Sequence, residues 1–447
     1  MKFLTRSSFA NDAEYLTYNK VSRRLLPFLL LLYIISFLDR VNVGFAKLQM
    51  SSEIGLSDAA FGLGAGIFFI GYALFEIPSN LLLQRFGAKF WIARILVVWG
   101  IISTAMCLVE SPTSFLVLRF LLGIAEAGFY PGVILYLTYW YPLRLRSQVC
   151  SIFFLGVPLS GLIGGPLSGW IMHSLDGVWG HSGWQWMFVL EGGPAILAGI
   201  FTYFYLDNGP RAAKWLSAEE RELVASTLDK ETALQLRAGH GHKFMDAIRN
   251  GNVWQLAAAN FTLLSSIYGV SFWMPQIVKD LGVTNVLSNG LLTAVPFGIA
   301  AIGMVLVGQH SDKTGERRWH MIWCTLVAAA GMLISGANAG SPVLSLIGLS
   351  MAATGALAGI AVMWALPGAI LTGAAAAAGI ALMATIGNLG GYLAPYMMGL
   401  VKQRTAHLEY GLYTMAISLL VGAIIIYFLP KTVAANKGVP SARKSAA

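Results

Sequence analysis

The chain has 447 residues, 56% of them hydrophobic and only 11% charged, with a formal net charge of +9. A soluble domain carries about a quarter of its residues as Asp, Glu, Lys or Arg, so this composition excludes a water-wetted globule and points to a membrane protein. Apolar stretches of about 20 residues match helices crossing a bilayer, and no succession of alternating ten-residue segments suggests a barrel.

Twelve such stretches follow one another, at approximately 25–46, 58–83, 90–109, 114–138, 147–172, 186–206, 253–277, 288–309, 319–338, 342–365, 369–400 and 411–430. Residues 1–24 read as a short polar lead-in with some amphipathic character. The first apolar run is too long for a signal-peptide core and lacks a small-residue cleavage site behind it, so it is expected to stay in the mature protein.

That first run is interrupted by Asp39-Arg40, and the fourth carries Arg119 and Glu126. A charge in the middle of a spanning helix costs roughly 3 kcal/mol or more unless it is paired or wetted. Seven residues make about two helical turns, so Arg119 and Glu126 project from nearly one face, roughly 10 Å apart along the axis. Two cations and two anions can then line one buried space. Guanidinium forks match the two oxygens of a carboxylate, which makes Arg40 and Arg119 candidates for binding an anion. Burial favours the neutral form of Asp39 and Glu126 while a neighbouring arginine favours the ionised form, so each can exchange a proton according to whether an anion occupies the cation. Residues one apart on a helix diverge by about 100°, so pairing across the first and fourth runs is expected, with substrate and carboxylate competing for each arginine. Tyr72, in the second run, can offer its hydroxyl to a substrate; Glu76, one turn later, reads as a structural acid held by Asn80 or a loop arginine.

Beyond the sixth run, Leu206-Asp-Asn-Gly-Pro leads into a charged segment in which Ser217 and Glu220 have capping-box spacing. The expected organisation is a first bundle at 1–206, a cytoplasmic linker with a short surface helix at 207–250, and a second bundle with a short tail at 251–447. The second bundle has no midspan charge. Its polar candidates are Asn260, Ser265, Tyr268, Trp273, Trp364, Asn388 and Tyr392, from which Tyr268, Trp364 and Asn388 are selected as substrate contacts.

The halves repeat. An offset of 228 places Gln84 on Asp312, Arg85 on Lys313, Gly87 on Gly315 and Lys89 on Arg317, and nearly the same offset places Gly161 and Pro166 on Gly390 and Pro395. Gly308-Gln-His-Ser-Asp-Lys-Thr-Gly-Glu-Arg-Arg resembles the loop signature of the major facilitator superfamily; the 80–89 stretch departs from it, with Gln84 and Ala88 at its acidic and first basic positions. Within that superfamily, Phe37-Leu-Asp-Arg-Val-Asn, Gly71-Tyr-Ala-Leu-Phe-Glu-Ile-Pro-Ser-Asn, Arg119-Phe-Leu-Leu-Gly-Ile-Ala-Glu-Ala and Tyr139-Trp-Tyr-Pro resemble the anion:cation symporter family, which includes permeases for sugar acids, tartrate, phthalate and hydroxyphenylacetate. The resemblance implies an all-α fold of twelve transmembrane helices in two six-helix pseudo-repeats. It also implies anion binding at Arg40 and Arg119, proton coupling at Asp39 and Glu126, and a gating role for Arg85, Gly87, Asp312, Lys313, Gly315 and Arg317.

Threading twelve spans puts Lys20, Arg23, Arg24, Arg85, Lys89, Arg144, Arg146, the cluster from Arg211 to Arg249, Lys313, Arg317, Arg318 and the tail from Lys431 to Lys444 on one side. Lys47, Lys279, Lys402 and Arg404 fall on the other. This positive-inside bias places both termini in the cytoplasm of a bacterial inner-membrane protein and accounts for the basic balance without nucleic acid. Cys107, Cys150 and Cys324 form neither a disulfide framework nor a metal spacing. With no Walker motif, nucleophile elbow or zinc motif, no enzyme activity, metal or cofactor is expected. The expected partners are a small organic anion, protons and lipids, around a monomer.

The reading is proton-coupled import of a sugar acid or a hydroxy-dicarboxylate such as tartrate, by rocking of two halves. A permease for an aromatic acid and an anion exchanger are the alternatives. The membrane potential contributes about 2.3 kcal/mol per charge per 100 mV, so a monoanion needs more than one proton for net inward charge.

Overall fold

The computed structural model describes residues 11–237, 248–364 and 373–430, together with Leu4, Arg6, Phe9 and Leu366; the basic tail at 431–444 and part of the expected linker lie outside the described residues. Among the described residues the regular elements are all helical. In chain order they are α1 Asp12–Val41, α2 Val43–Glu53, α3 Asp58–Phe86, α4 Ala88–Ala105, α5 Pro112–Glu126, α6 Phe129–Thr138, α7 Leu143–Phe154, α8 Gly156–Ser174 and α9 Gly183–Tyr205. After them come α10 Ala218–Arg237, α11 Gly251–Asp280, α12 Val286–Thr314, α13 Arg318–Ala337, α14 Pro342–Met363, α15 Gly373–Thr405 and α16 Glu409–Tyr427.

Among the described residues, eleven helical stretches are long and apolar enough to cross a membrane. The eleventh expected run, 369–400, falls on α15, a helix of 33 residues. Serines start several spans by accepting the first free backbone donors, which a helix otherwise leaves unsatisfied. Ser57 accepts from the Ala60 amide at 3.1 Å, and Ser111 and Ser182 head capping boxes closed by Ser114 and Gln185. Large apolar side chains such as Ile101, Leu197, Ile302 and Ile424 face outward, as a lipid solvent allows.

Two boundaries differ from the sequence reading. The first span begins at Asp12 rather than near residue 25, because the polar residues before Leu25 find partners: Glu14 pairs with Arg144, and Lys20 with Glu220 at 2.6 Å. The fourth run is not one helix. After Glu126 the chain turns extended at Ala127 (ψ 130°) and left-handed at Gly128 (φ +84°) before α6 starts. A Cβ on Gly128 would lie 2.4 Å from Ser79 Oγ, so both the torsion and the space call for glycine. The α1–α2 and α7–α8 junctions at Asn42 and Leu155 keep right-handed helical torsions, and α1 and α2 run as one 42-residue span.

The capping box at Ser217 is present, its amide donating to Glu220 Oε2 at 2.8 Å and its Oγ accepting from the Glu220 amide at 3.1 Å. The helix it starts, α10, lies against the polar start of α1 through Lys20.

The chain forms two compact units. Unit 1 comprises 1–239 with Phe272–Lys279 and Val283–Ala294; unit 2 comprises His240–Ser271, Asp280–Gly282 and Val295–Ala447. Within unit 1, α3 and α5 touch backbone to backbone: a Cβ on Gly123 would meet the Phe68 carbonyl at 2.0 Å. Within unit 2, α13 and α14 approach equally closely, a Cβ on Gly355 meeting the Cys324 carbonyl at 2.3 Å.

Candidate functional site

The four midspan charges singled out from the sequence, Asp39, Arg40, Arg119 and Glu126, are all buried in unit 1. Arg119 is 0% exposed, and Asp39 and Glu126 1% each. Arg40 of α1 forms an ion pair with Glu126 of α5, and Ser36, one turn before Arg40, donates from its hydroxyl to the same carboxylate oxygen at 2.7 Å. The carboxylate sits on the last residue of α5, so the interruption of the helix at Ala127-Gly128 lies directly beside the pair.

Arg119 is held differently. Its Nε donates to the Gly64 carbonyl at 3.2 Å and its Nη2 to the Ala65 carbonyl at 3.4 Å. These contacts are possible because the glycine-mediated approach of α3 and α5 leaves backbone oxygens within reach. Nη1 has no hydrogen-bond partner, and no carboxylate forms an ion pair with Arg119, among the described residues. The Phe68 ring lies 5.1 Å from the Arg119 guanidinium and 5.1 Å from that of Arg40. One aromatic ring therefore serves both cations, an attraction that strengthens when water is excluded. The Tyr72 ring adds a second contact to Arg40 at 5.4 Å, and the Phe272 ring one to Arg119 at 5.9 Å.

The expected cross-pairing is thus found for Arg40 with Glu126, whereas Asp39 is not ion-paired with Arg119. Asp39 accepts from Trp99 Nε1 and Ser103 Oγ of α4 and from Asn42 Nδ2 at 3.2 Å. Neutral donors suffice to stabilise a buried carboxylate when there are several of them, so Asp39 is satisfied without a cation. Asn80 donates to the backbone carbonyl of Glu76 at 3.0 Å, so it holds that turn of α3 through the main chain.

The C-terminal candidates fall into different settings. Tyr268 is buried in α11, Asn388 is half-buried in α15, and Trp364 closes α14, its amide donating to the Ile360 carbonyl at 3.0 Å. All three belong to unit 2. Asn260 bonds the Met383 carbonyl at 2.8 Å and so ties α11 to α15. Trp273 belongs to unit 1, its ring 5.0 Å from the Lys47 ammonium. Lys47 is itself buried, pairing with Asp58 at 2.7 Å and donating to Gln276 at 3.1 Å.

Of the repeated loop residues, Gly87 and Gly315 both have positive φ, +88° and +67°. Asp312 pairs with Arg317 at 2.7 Å. Arg85 and Lys313 are exposed, and the Lys89 amide donates to Asn208 at 3.0 Å. Cys107, Cys150 and Cys324 are free thiols, and no cluster of metal-ligating side chains occurs among the described residues.

Sequence reasoning passed over Glu191. It lies in the sixth run, in Val189-Leu-Glu-Gly-Gly-Pro, and is 3% exposed. The rule that singled out Arg119 and Glu126, an ionisable residue within a spanning run, applies to it equally. Ser36, Trp99, Ser103 and Phe68 carry no such signal; only the packing identifies them.

Residues 29–395 match the Major Facilitator Superfamily. The chain belongs to that family. It is 44% identical to a "Putative tartrate transporter" of Agrobacterium vitis, over 96% of this chain and 98% of that one. It is 41% identical to a "Quinolone resistance transporter" of Acinetobacter baumannii, over 94% and 96%. Among solved structures, the xylose transporter XylE from E. coli in a partially occluded inward-open conformation resembles it with a TM-score of 0.74 at 16% identity, covering 93% of this chain and 99% of that one. The fold is accordingly the all-α, twelve-helix major facilitator fold. The protein is a multi-pass membrane transporter for a small molecule, in a family of carriers rather than enzymes.

Proposed function

We propose that the protein imports a small organic anion, a sugar acid or a hydroxy-dicarboxylate such as tartrate, together with protons, across the bacterial inner membrane with both termini cytoplasmic. The observation that carries this reading is Arg119: a fully buried guanidinium with no ion-pair partner and an unused Nη1 donor among the described residues. It shares the Phe68 ring with a second guanidinium. A buried cation left without an anion is costly, and a substrate carboxylate is the group that completes it. The relative named as a tartrate transporter supports the substrate class.

Proton coupling follows from the Arg40–Glu126 pair. A substrate carboxylate binding Arg40 displaces Glu126, and the displaced carboxylate, buried and left with Ser36, takes up a proton. Asp39 supplies the second proton site, with Tyr268, Trp364 and Asn388 shaping specificity from the other six-helix half. The reading takes the halves as 1–206 and 251–447 joined by the linker 207–250. The repeated loop residues Arg85, Gly87, Asp312, Lys313, Gly315 and Arg317 serve gating. An aromatic acid is the second reading, favoured by the Phe68, Tyr72 and Phe272 rings around the two cations.

A thermal-shift screen of aldonates, tartrates, phthalates and hydroxyphenylacetates identifies the class, and proteoliposome flux with and without a pH gradient tests the coupling. Binding of aromatic acids alone reverses the choice between the two readings. Uptake indifferent to the pH gradient refutes symport.

A further inference from the structure

The turn between α12 and α13 is tied across its base by two histidines that the transport scheme above leaves unused. His310 stands near the end of α12 and His320 in the first turn of α13, both in unit 2. His310 Nδ1 and His320 Nε2 are 2.7 Å apart, with the ring centroids at 5.0 Å. The other ring nitrogen of His320, Nδ1, lies 3.1 Å from Glu316 Oε2. Glu316 also accepts from the Trp319 amide at 2.8 Å and the His320 amide at 3.3 Å, so it anchors the start of α13 and presents lone pairs to the ring.

These contacts dictate where the hydrogens sit. Two ring nitrogens in contact need one hydrogen between them, and an ionised carboxylate only accepts. His320 therefore carries a hydrogen on Nδ1 and, when neutral, offers Nε2 as an acceptor, to which His310 donates from Nδ1. A third ring hydrogen fits on the outer nitrogen, His310 Nε2, with the contact intact. A fourth places hydrogens on both facing nitrogens, and two cations in that geometry repel and part. The closed pair thus has room for one added proton and opens on the second. His310 is exposed, so protons arrive from water.

The surrounding charges are accounted for within the turn. Asp312 pairs with Arg317 at 2.7 Å, Arg318 donates to the Tyr427 carbonyl, and Lys313 is exposed. Of the helices packed against α13, α14 has no ionisable side chain. On α16, Tyr427 lies beside the turn, its ring 6.3 Å from that of Trp319; Glu409, Tyr410 and Tyr413 belong to the opposite end of α13, where Tyr413 approaches Gly336. Cys324, one turn after His320, faces Gly359 of α14. Glu316 is thus the one carboxylate in contact with the pair among the described residues. The repeat offset of 228 places Leu82, Ala88 and Ile92 opposite His310, Glu316 and His320, so the turn conformation common to the two halves does not require the three polar groups.

We propose that His310, His320 and Glu316 form a proton-binding site on the α12–α13 turn, which holds one added proton in its closed form and releases α12 from α13 when a second arrives. Histidine is the side chain whose charge changes between about pH 5 and 8, so acidification on that side of the membrane opens the site. In the orientation proposed above that side is the cytoplasm. The site adds a sensor of internal acidity to the proposed function, and its existence does not depend on the transported substrate.

Magic-angle-spinning nitrogen NMR on the full-length protein in lipid bilayers, with histidine as the labelled residue, tests it. Wild type at neutral pH gives a correlation between Nδ1 of one imidazole and Nε2 of another through the shared hydrogen, and acidification removes it as both rings become doubly protonated. H310L and H320L each lack the correlation, and in each the remaining ring titrates at a pH displaced from that in wild type, having no second ring to share with. E316Q, which keeps an acceptor oxygen but not the charge, retains the correlation to more acidic pH and serves if the leucine variants fail to fold. A wild-type spectrum without the ring-to-ring correlation overturns the proposal, as does a ring that titrates identically with and without its neighbour. Because no substrate is added, failure of this site is distinguishable from failure of the symport reading, which the flux measurements address.

Discussion

Replacing Glu126 with Gln isolates the step that links substrate to proton. The amide keeps the shape of the carboxyl and an oxygen that can accept from Ser36 and Arg40, so the junction of α5 with α6 has no steric reason to change. What disappears is the charge. A hydrogen bond to a charged group contributes about 1.5–3 kcal/mol and a neutral one about 0.5–1.5, so Arg40 is released from about 1–1.5 kcal/mol of competition. At about 1.4 kcal/mol per factor of ten, the substrate identified by screening binds E126Q roughly tenfold more tightly at alkaline pH. That affinity also loses the part of its pH dependence that Glu126 supplies. The variant exchanges substrate across the bilayer but does not accumulate it against a gradient, since it cannot release the proton that would drive return of the empty carrier. Counterflow and gradient-driven uptake in the same liposomes separate the two activities. Normal accumulation by E126Q, or tenfold weaker binding, refutes the competition between substrate and Glu126 for Arg40.

Arg119→Lys retains the cation but not the planar fork, whose Nε and Nη2 are committed to the Gly64 and Ala65 carbonyls; losing one charge-assisted bond to substrate lowers affinity by about tenfold or more, and unchanged affinity would remove Arg119 from the binding site. Asp39→Asn abolishes accumulation. Trp99→Phe, which removes one of the three donors to Asp39, retains accumulation but moves its pH profile toward alkaline values, because the ionised form has lost support; a pH-profile measurement on both variants decides. Gly128→Ala forces an L-residue to φ +84°, which costs about 1–2 kcal/mol, and also drives a methyl against Ser79 Oγ, an acceptor for Trp91 Nε1 at 3.0 Å. A lower thermal midpoint, partly restored in the Ser79→Ala background, is the expected outcome.

The spans and the four central charges were legible in the sequence because each breaks a strong rule: apolar length in one case, burial of charge in the other. Their partners were less so. Arg40 and Glu126 could be matched across helices by sign, but nothing in the sequence says that Arg119 reaches the backbone of α3. That contact exists because Gly71 and Gly123 bring two main chains together, a tertiary effect. Asp39 was expected beside a cation and is held instead by an indole and a hydroxyl from α4, types too common in apolar runs to stand out. The start of α1 was misplaced because hydropathy falls before Leu25, while the helix continues as long as Glu14 and Lys20 have ion-pair partners. The break after Glu126 was hidden by the unbroken apolar composition on either side.

Gly87 and Gly315 put the internal duplication in another light. They occupy equivalent places in the two halves, one ending α3 and the other following α12, and both hold backbone torsions that side-chain-bearing residues seldom adopt. Around them the chemistry has drifted: Gln84 stands opposite Asp312, and Ala88 opposite Glu316, at the offset that aligns the glycines. What the two copies hold in common at this turn is thus a glycine at positive φ and two basic positions, while the acids stand in one copy alone. For anyone re-engineering the carrier, the two glycines are the punctuation of these loops, the places where a side chain would break the sentence in either half.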